Sequence, residues 1–243
     1  MSEAELLMLD FPIEDTGPLS SDARSRGYRQ FAKVAEAVRS LPYGRPRDSE
    51  DVLAIFEEER GTCSSKHRYL AALAHECGHT EVRLMLGLYA MSNDNTPGVG
   101  AVLGAAGIAA IPEAHCYLMC RERRFDYTGL PSGGTSPFES LLEERTISPR
   151  DLPSVKSAYH RSAVADWARG RGIDPGGAWS LREKCIELLA NSTPHPCVSP
   201  SSLCQRFGFP GVTVPFSSAP HRDRRAASRY DQRSRAPARA RKR

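Results

Sequence analysis

The sequence predicts an α+β fold in which helices pack on an antiparallel sheet. Three patterns lead to this prediction. Apolar residues recur at helical spacing in much of the first 78 residues and again after residue 155. Residues 80–91 alternate between apolar side chains and others, as a strand with two different faces does. Residues 114–120 and 123–128 are two β-like runs close together in the chain, which is typical of a hairpin.

The N-terminal part is predicted to contain an arm and three helices. Residues 1–20 are polar and carry Pro and Gly, so we expect a loosely held arm. A first helix should cover residues 21–41 and a second should begin near Ser49 and stop at Gly61. A third helix should start at Thr62 or Cys63 and end at Gly78, because glycine commonly terminates helices.

The remaining chain divides into a sheet region, a helical extension and a tail. Residues 93–107 are Gly-rich and are expected to form a loop, while residues 155–169 and 179–190 predict two C-terminal helices. The folded domain is therefore predicted to cover residues 21–192. Residues 193–243 are rich in Pro, Ser and Arg and poor in large apolar side chains, which predicts a disordered tail.

Charge and cysteine content limit the classes of function. The tail carries ten Arg and one Lys against two Asp, a charge of +9, so the net charge of +4 leaves −5 for the remainder. The tail predicts at most non-specific contact with nucleic acid. Seven cysteines without regular spacing predict reduced thiols in the cytoplasm. The N-terminus does not have the pattern of a signal peptide, and no run predicts a membrane span.

Cys63 is the candidate nucleophile. The first turn of a helix has unpaired backbone N–H groups and the positive end of the helix dipole, and both favour a thiolate over a thiol. His115 and Asp126 lie on the two arms of the predicted hairpin. If the chain turns between Cys120 and Arg121, they are directly opposite, so the carboxylate can orient the imidazole. A pairing two residues longer would instead place Thr128 opposite His115.

These three segments read Gly-Thr-Cys-Ser-Ser-Lys-His, Pro-Glu-Ala-His-Cys-Tyr-Leu and Arg-Phe-Asp-Tyr-Thr. Their order and local sequence resemble the transglutaminase-like superfamily of papain-like cysteine enzymes. Residues 87–91, 95–100 and 111–115 also resemble a subgroup of bacterial proteins with this core. The resemblance covers residues 49–128 and implies a papain-like core. It also implies that Cys63 is the nucleophile, His115 the base and Asp126 the orienting group.

The resemblance implies acyl transfer through a thioester, or hydrolysis of an amide or ester. The substrate would be a peptide, a protein or a small amide, and no cofactor is expected. The chain departs from better-studied members because no clear aromatic or polar side chain completes an oxyanion hole. Two alternatives do not involve catalysis. In one, His115 is a half-buried histidine beside a turn aspartate. In the other, the chain is an interaction module that keeps the transglutaminase-like shape.

The run His75-Glu76-Cys77-Gly78-His79 offers a different reaction class. Two histidines four residues apart on one helix can bind zinc, with the glutamate as the base of a metallopeptidase. However, Gly78 is expected to end the helix inside this motif. The two imidazoles would then not share one helix face, so zinc binding through His75 and His79 is the less favoured alternative.

Overall fold

The computed structural model describes residues 9–131 and 133–192. The helices of this part are α1 (Pro18–Ser25), α2 (Phe31–Ser40), α3 (Ala54–Glu57), α4 (Cys63–Glu76), α5 (Gly100–Ala105), α6 (Leu152–Arg169) and α7 (Pro175–Ser192). Its strands are β1 (Arg83–Met91), β2 (Ile111–Cys120), β3 (Arg123–Phe125) and β4 (Leu141–Thr146). The predicted tail, residues 193–243, lies outside the described residues.

One antiparallel sheet organises the described residues, with the strand order β3-β2-β1-β4. Every residue of β2 is buried, because this strand lies inside the sheet and is covered on both faces. The α+β prediction with an antiparallel sheet is therefore confirmed. Strand β4 was not predicted, since the charged and mostly exposed run Leu-Leu-Glu-Glu-Arg-Thr carries little hydrophobic signal.

The main core lies between the sheet and the N-terminal helices. Apolar side chains of α4, including Leu70 and Leu73, pack in one buried cluster with Leu84 and Leu86 of β1. Burying apolar area in this way contributes roughly 25 cal/mol per Å². The opposite face of the sheet carries a smaller cluster, in which Tyr117 packs with methionines from β1 and β2. Helix α4 is thereby held rigidly against β2.

The expectation of a loose arm over residues 1–20 is wrong for residues 9–20. Leu9, Phe11 and Ile13 alternate in sequence and are buried in the main core. The ring of Phe11 also stacks on that of Phe31, with 4.6 Å between the ring centroids. The expected helix over residues 21–41 is divided into α1 and α2, because Gly27 adopts a left-handed φ of 90° that ends α1.

Two other expectations of local structure need correction. The segment 93–107, expected to be a loop, contains the short helix α5. The helix expected from Ser49 to Gly61 is reduced to the four residues of α3. Its expected start is instead a loop in which the Asp48 carboxylate accepts hydrogen bonds from the backbone N–H groups of Glu50 and Asp51. Such side-chain bonds compete with helix formation.

The hairpin between β2 and β3 has the longer of the two registers that the sequence left open, not the one that sets His115 opposite Asp126. Cys120 pairs with Arg123 and Leu118 pairs with Phe125, which shifts the pairing by two residues. Arg121 and Glu122 form the turn and have left-handed φ values of 48° and 59°. Two such residues match the twist of a hairpin, but Asn and Gly are the usual occupants. The turn was therefore not recognisable from residue type.

The predicted C-terminal helices are observed as α6 and α7, each with an earlier start than expected. Val164 and Ala168 of α6 pack with Ala178 of α7 in a small cluster of their own. Among the described helices, none is both long enough and apolar enough to cross a membrane. Helix α6 also contacts β2, and this contact brings the extension to the sheet edge near His115.

Candidate active site

Cys63 is the first residue of α4, and its side chain is buried, with 4% of the residue exposed. Thr62 caps the helix, because its hydroxyl accepts from the Ser65 N–H at 3.5 Å, and the Ser65 hydroxyl accepts from the Thr62 N–H at 2.9 Å. The backbone N–H groups of Cys63 and Ser64 have no acceptor inside the helix. They are therefore placed to stabilise negative charge at the sulfur or at an adjacent oxygen.

His115 and Asp126 are joined by a hydrogen bond of 2.8 Å from Nε2 to Oδ2. In the observed register Phe125 forms the last pair of β3, with Leu118 of β2. If the pairing continued by one residue, Asp126 would lie opposite Tyr117. His115 is then its diagonal neighbour on the same face, which is within reach of such side chains. The directly opposed pairing that the sequence suggested is wrong, but the contact between the two side chains is present.

The turn after β3 fixes the carboxylate of Asp126. Its Oδ1 atom accepts hydrogen bonds from the N–H and the hydroxyl of Thr128, at 2.9 and 2.5 Å. These bonds leave Oδ2 for the histidine, so the carboxylate cannot rotate without losing partners. Because Nε2 of His115 faces Asp126, Nδ1 is the ring nitrogen that remains for Cys63, and the neighbouring sulfur of Cys63 helps to raise the pKa of His115.

The electrostatics of the cluster favour an ion pair of thiolate and imidazolium. A hydrogen bond from Cys116 lowers the pKa of Cys63 most, burial opposes it, and Lys156 and His115 lower it further, to well below its usual value. Burial alone would lower the pKa of His115, but the charge and hydrogen bond of Asp126 and the contact with Cys63 raise it to about 10. Burial likewise opposes ionisation of Asp126, yet His115 holds the pKa of this carboxyl below its usual range.

Lys156 and Cys116 are contributors that sequence reasoning missed. Lys156 of α6 places Nζ 3.5 Å from the Cys63 sulfur and 2.5 Å from the Ser64 hydroxyl. Cys116 belongs to the core, as expected, but its thiol also donates to the Ser64 hydroxyl at 3.8 Å and helps to lower the pKa of Cys63, while burial raises its own pKa. Strand β3 pairs only as far as Leu118, which leaves this edge of β2 accessible to α4 and α6.

His67, on the same face of α4 as Cys63, ties the nucleophile to the segment that carries Asp126. Its Nδ1 atom bonds the Cys63 carbonyl at 2.7 Å, and its Nε2 atom accepts from the Tyr127 N–H at 2.7 Å. Burial outweighs the charge of Asp126 and lowers the pKa of His67 to about 4, so this ring is neutral. The spacing of four residues from Cys63 was the available signal for this role.

Cys63 lies between two cavities. The first, of about 420 Å³, is lined by Cys63, His115, Asp126 and the loop before β4. The second, of about 660 Å³, lies on the side of α6 and is lined by Ser64 and Lys156 together with Cys63. Tyr43 and Glu113 line both cavities. A substrate could therefore reach the sulfur from either side.

The expectation that the helix ends inside the zinc-like motif is confirmed, because α4 stops at Glu76 and Gly78 has a φ of 88°. His75 bonds the Val82 carbonyl at 2.8 Å, and the His79 ring stacks on Phe11. Glu76 instead accepts the N–H groups of Leu19 and Ser20 at the start of α1. Among the described residues, no group of three or more His, Cys, Asp or Glu side chains is arranged to hold a metal ion.

No model of a protein family, no curated protein and no solved structure matches this chain. The interpretation of the site therefore depends on its own geometry and chemistry.

Proposed function

We propose that this chain catalyses cysteine-dependent acyl transfer through a thioester, on a papain-like core of the transglutaminase-like type. The observation that carries the proposal is that Cys63, His115 and Asp126 line one cavity, where His115 is hydrogen-bonded to Asp126 and electrostatically coupled to Cys63. A nucleophile, a base and an orienting group in this order constitute the arrangement needed for covalent catalysis. The nucleophile helix packed on an antiparallel sheet supports the same assignment.

In the first half of the reaction, the Cys63 thiolate attacks the carbonyl carbon of an amide or ester and forms the carbon–sulfur bond. The oxyanion that results is stabilised by the N–H groups of Cys63 and Ser64 at the start of α4. His115 then transfers its Nδ1 proton to the leaving nitrogen or oxygen. The bond to the leaving group breaks, and the acyl group remains on Cys63 as a thioester.

In the second half, His115 is neutral and accepts a proton from an attacking water or amine. Attack on the thioester carbon gives a second oxyanion, whose collapse breaks the carbon–sulfur bond and restores the thiolate. Water gives hydrolysis and an amine gives transamidation. Asp126 holds the imidazole in place and stabilises its charged form in both halves.

We propose a peptide, a protein or a small amide as the substrate. The proposed location is the cytoplasm, because a thiolate nucleophile must stay reduced. The described cysteines are all unpaired thiols. An interaction module without catalysis is the competing reading, and zinc binding through His75 and His79 is a further one. The reactivity of the Cys63 thiol distinguishes the proposal from a non-catalytic interaction module. Elemental analysis for zinc distinguishes it from a metal site.

Alkylation with iodoacetamide at pH 5.5, mapped by mass spectrometry, tests the proposal. Cys63 should react before Cys77, although Cys77 is more exposed, because the lowered pKa of Cys63 and the raised pKa of Cys77 give Cys63 the larger thiolate fraction. His115→Ala should slow the labelling of Cys63 about tenfold or more, and Asp126→Ala should slow it less. His79→Ala is the matched control for loss of a histidine.

Labelling of Cys77 at the same rate as Cys63, unaffected by His115→Ala, would refute the proposed nucleophile. One equivalent of zinc per chain, lost in His79→Ala, would favour the metal site instead.

A further inference from the structure

The cavity on the α6 side of Cys63 has a strongly cationic wall. Six cationic side chains line it, namely Arg45, Arg47, Arg68, Lys156, Arg161 and Arg182. Its carboxylates are those of Glu113 and Glu183. The formal charge of these eight groups is therefore about +4 if each is ionised, and the Cys63 thiolate, which also lines the cavity, reduces it to about +3. A concave wall of one charge sign attracts and concentrates ligands of the opposite sign.

The two carboxylates are already occupied by two of the arginines. Arg182 is buried and donates two hydrogen bonds to Glu113, at 2.6 and 2.5 Å. Arg45 donates two to Glu183, at 3.1 and 3.3 Å, and Arg182 also contacts Glu183. The pairing neutralises one end of the cavity and leaves no lining carboxylate for the other four cations.

Two of those four cations have neutral partners. Arg68 donates to the backbone carbonyls of Pro149, Ser49 and Glu50, which fix its guanidinium without cancelling its charge. Arg161 lies over the ring of Trp179, with 4.2 Å from its guanidinium carbon to the ring centroid.

Lys156 contacts the Ser64 hydroxyl and, at 3.5 Å, the sulfur of Cys63. Arg47 donates its backbone N–H to the Glu58 carboxylate, and among residues 9–131 and 133–192 its guanidinium has no hydrogen-bond or ion-pair partner. The nearby carboxylates of Asp48 and Asp51 do not line the cavity and accept from backbone N–H groups of their own loop.

The other cavity has no such excess. Its lining contains Arg39 and Arg124 against Glu113 and Asp126, in addition to His115. Cys63 thus lies between a wall of balanced charge and a wall of positive charge. We propose that the cationic cavity binds an anionic group, a carboxylate or a phosphate, of the molecule whose carbonyl reaches Cys63. This inference rests on the proposed function and adds the charge of its substrate.

Two alkylating probes that differ in charge test the inference on the full chain. Iodoacetate and iodoacetamide both transfer a two-carbon group to sulfur and release iodide, but only iodoacetate is an anion. We define a double ratio as the iodoacetate-to-iodoacetamide rate ratio at Cys63 divided by the same ratio at Cys77. Its expected value is about 10. This double ratio removes the intrinsic difference between the reagents.

The double variant Arg47→Gln/Arg161→Gln should lower the double ratio severalfold, since both arginines line the cavity and are exposed. Lys33→Gln/Arg169→Gln removes two exposed cations elsewhere and should retain the wild-type value. Thermal melting shows whether each variant is folded. A double ratio near unity in the wild type, or one unaffected by Arg47→Gln/Arg161→Gln, would overturn the inference.

Protection experiments assign the anion class. Glutarate and inorganic phosphate are each added during iodoacetamide labelling, with ionic strength held constant by KCl. Slower labelling of Cys63 with glutarate supports a carboxylate, and slower labelling with phosphate supports a phosphate. Protection by neither anion would overturn the inference. The proposed function fails separately, if iodoacetamide labelling of Cys63 does not depend on His115.

Discussion

Replacement of His67 by glutamine tests whether a neutral buried histidine holds Cys63 in position relative to Asp126. The ring bonds the Cys63 carbonyl through Nδ1 and accepts the Tyr127 N–H through Nε2. It can make both bonds only in the neutral form, because an imidazolium has no acceptor. Burial accordingly lowers its pKa from 6.5 to about 4.

The magnitude follows from proton linkage. At pH 4.5 an unfolded histidine is almost fully protonated, whereas folded His67, with a pKa of about 4, is about one-quarter protonated. The folded state therefore loses about 2.5 kcal/mol of stability between pH 7.5 and pH 4.5 through this side chain. The sign is that of a depressed histidine pKa: stability is complete above the unfolded value and is lost as pH falls toward 4.

Glutamine does not titrate, so the variant avoids this loss. At pH 7.5 His67→Gln should be less stable than wild type by about 1–3 kcal/mol, because a buried partner is left without its hydrogen bond. At pH 4.5 the difference should have shifted by about 2.5 kcal/mol in favour of the variant. The crossover distinguishes a titrating contact from simple loss of packing.

Urea unfolding followed by tryptophan fluorescence at the two pH values measures both differences. His79→Gln serves as the control for replacement of a histidine, because the His79 side chain is about one-third exposed, whereas that of His67 is fully buried. A stability difference for His67→Gln that is the same at pH 7.5 and pH 4.5 would refute the reasoning that His67 is neutral and buried.

Three further predictions concern the site and its support. An NMR titration should show His115 protonated up to a pKa of about 10, and a midpoint near 6.5 would contradict the ion pair. Lys156→Met should slow iodoacetamide labelling of Cys63 at pH 5.5 about tenfold, while Lys156→Arg should retain most of the rate. Gly129→Ala should cost more than about 2 kcal/mol in thermal unfolding, because the residue has a φ of 80° and its Cβ would lie 2.1 Å from a backbone carbonyl. Gly104→Ala is the control with open space, and equal melting temperatures of the two variants would contradict this reasoning.

The parts that could be predicted from sequence have local signals. Thr62 caps α4 and Gly78 follows its end, so the helix that begins with Cys63 was predicted closely. The buried strands β1 and β2 also have clear apolar patterns. His115 and Asp126 were assigned to neighbouring strands, and their side chains do meet.

The parts that could not be predicted depend on packing between distant segments. Lys156 lies 93 residues after Cys63, and no local pattern distinguishes it from a solvated lysine on a helix. Strand β4 is an edge strand with exposed charges. It forms because it pairs with β1, and its own sequence has no clear hydrophobic pattern. The register of the hairpin depended on two residues, Arg121 and Glu122, whose types do not favour the left-handed conformation they adopt.

The two-residue turn at Arg121 and Glu122 makes the site sensitive to chain length rather than to residue type at that position. Strand β3 has three residues, and Asp126 follows it directly. Because side chains alternate between the faces of a sheet, a deletion or insertion of one residue in this turn would carry Asp126 to the face opposite His115. Substitutions at these two exposed positions leave the spacing intact. Among related chains, we therefore expect residue types to vary at the turn while its length stays at two.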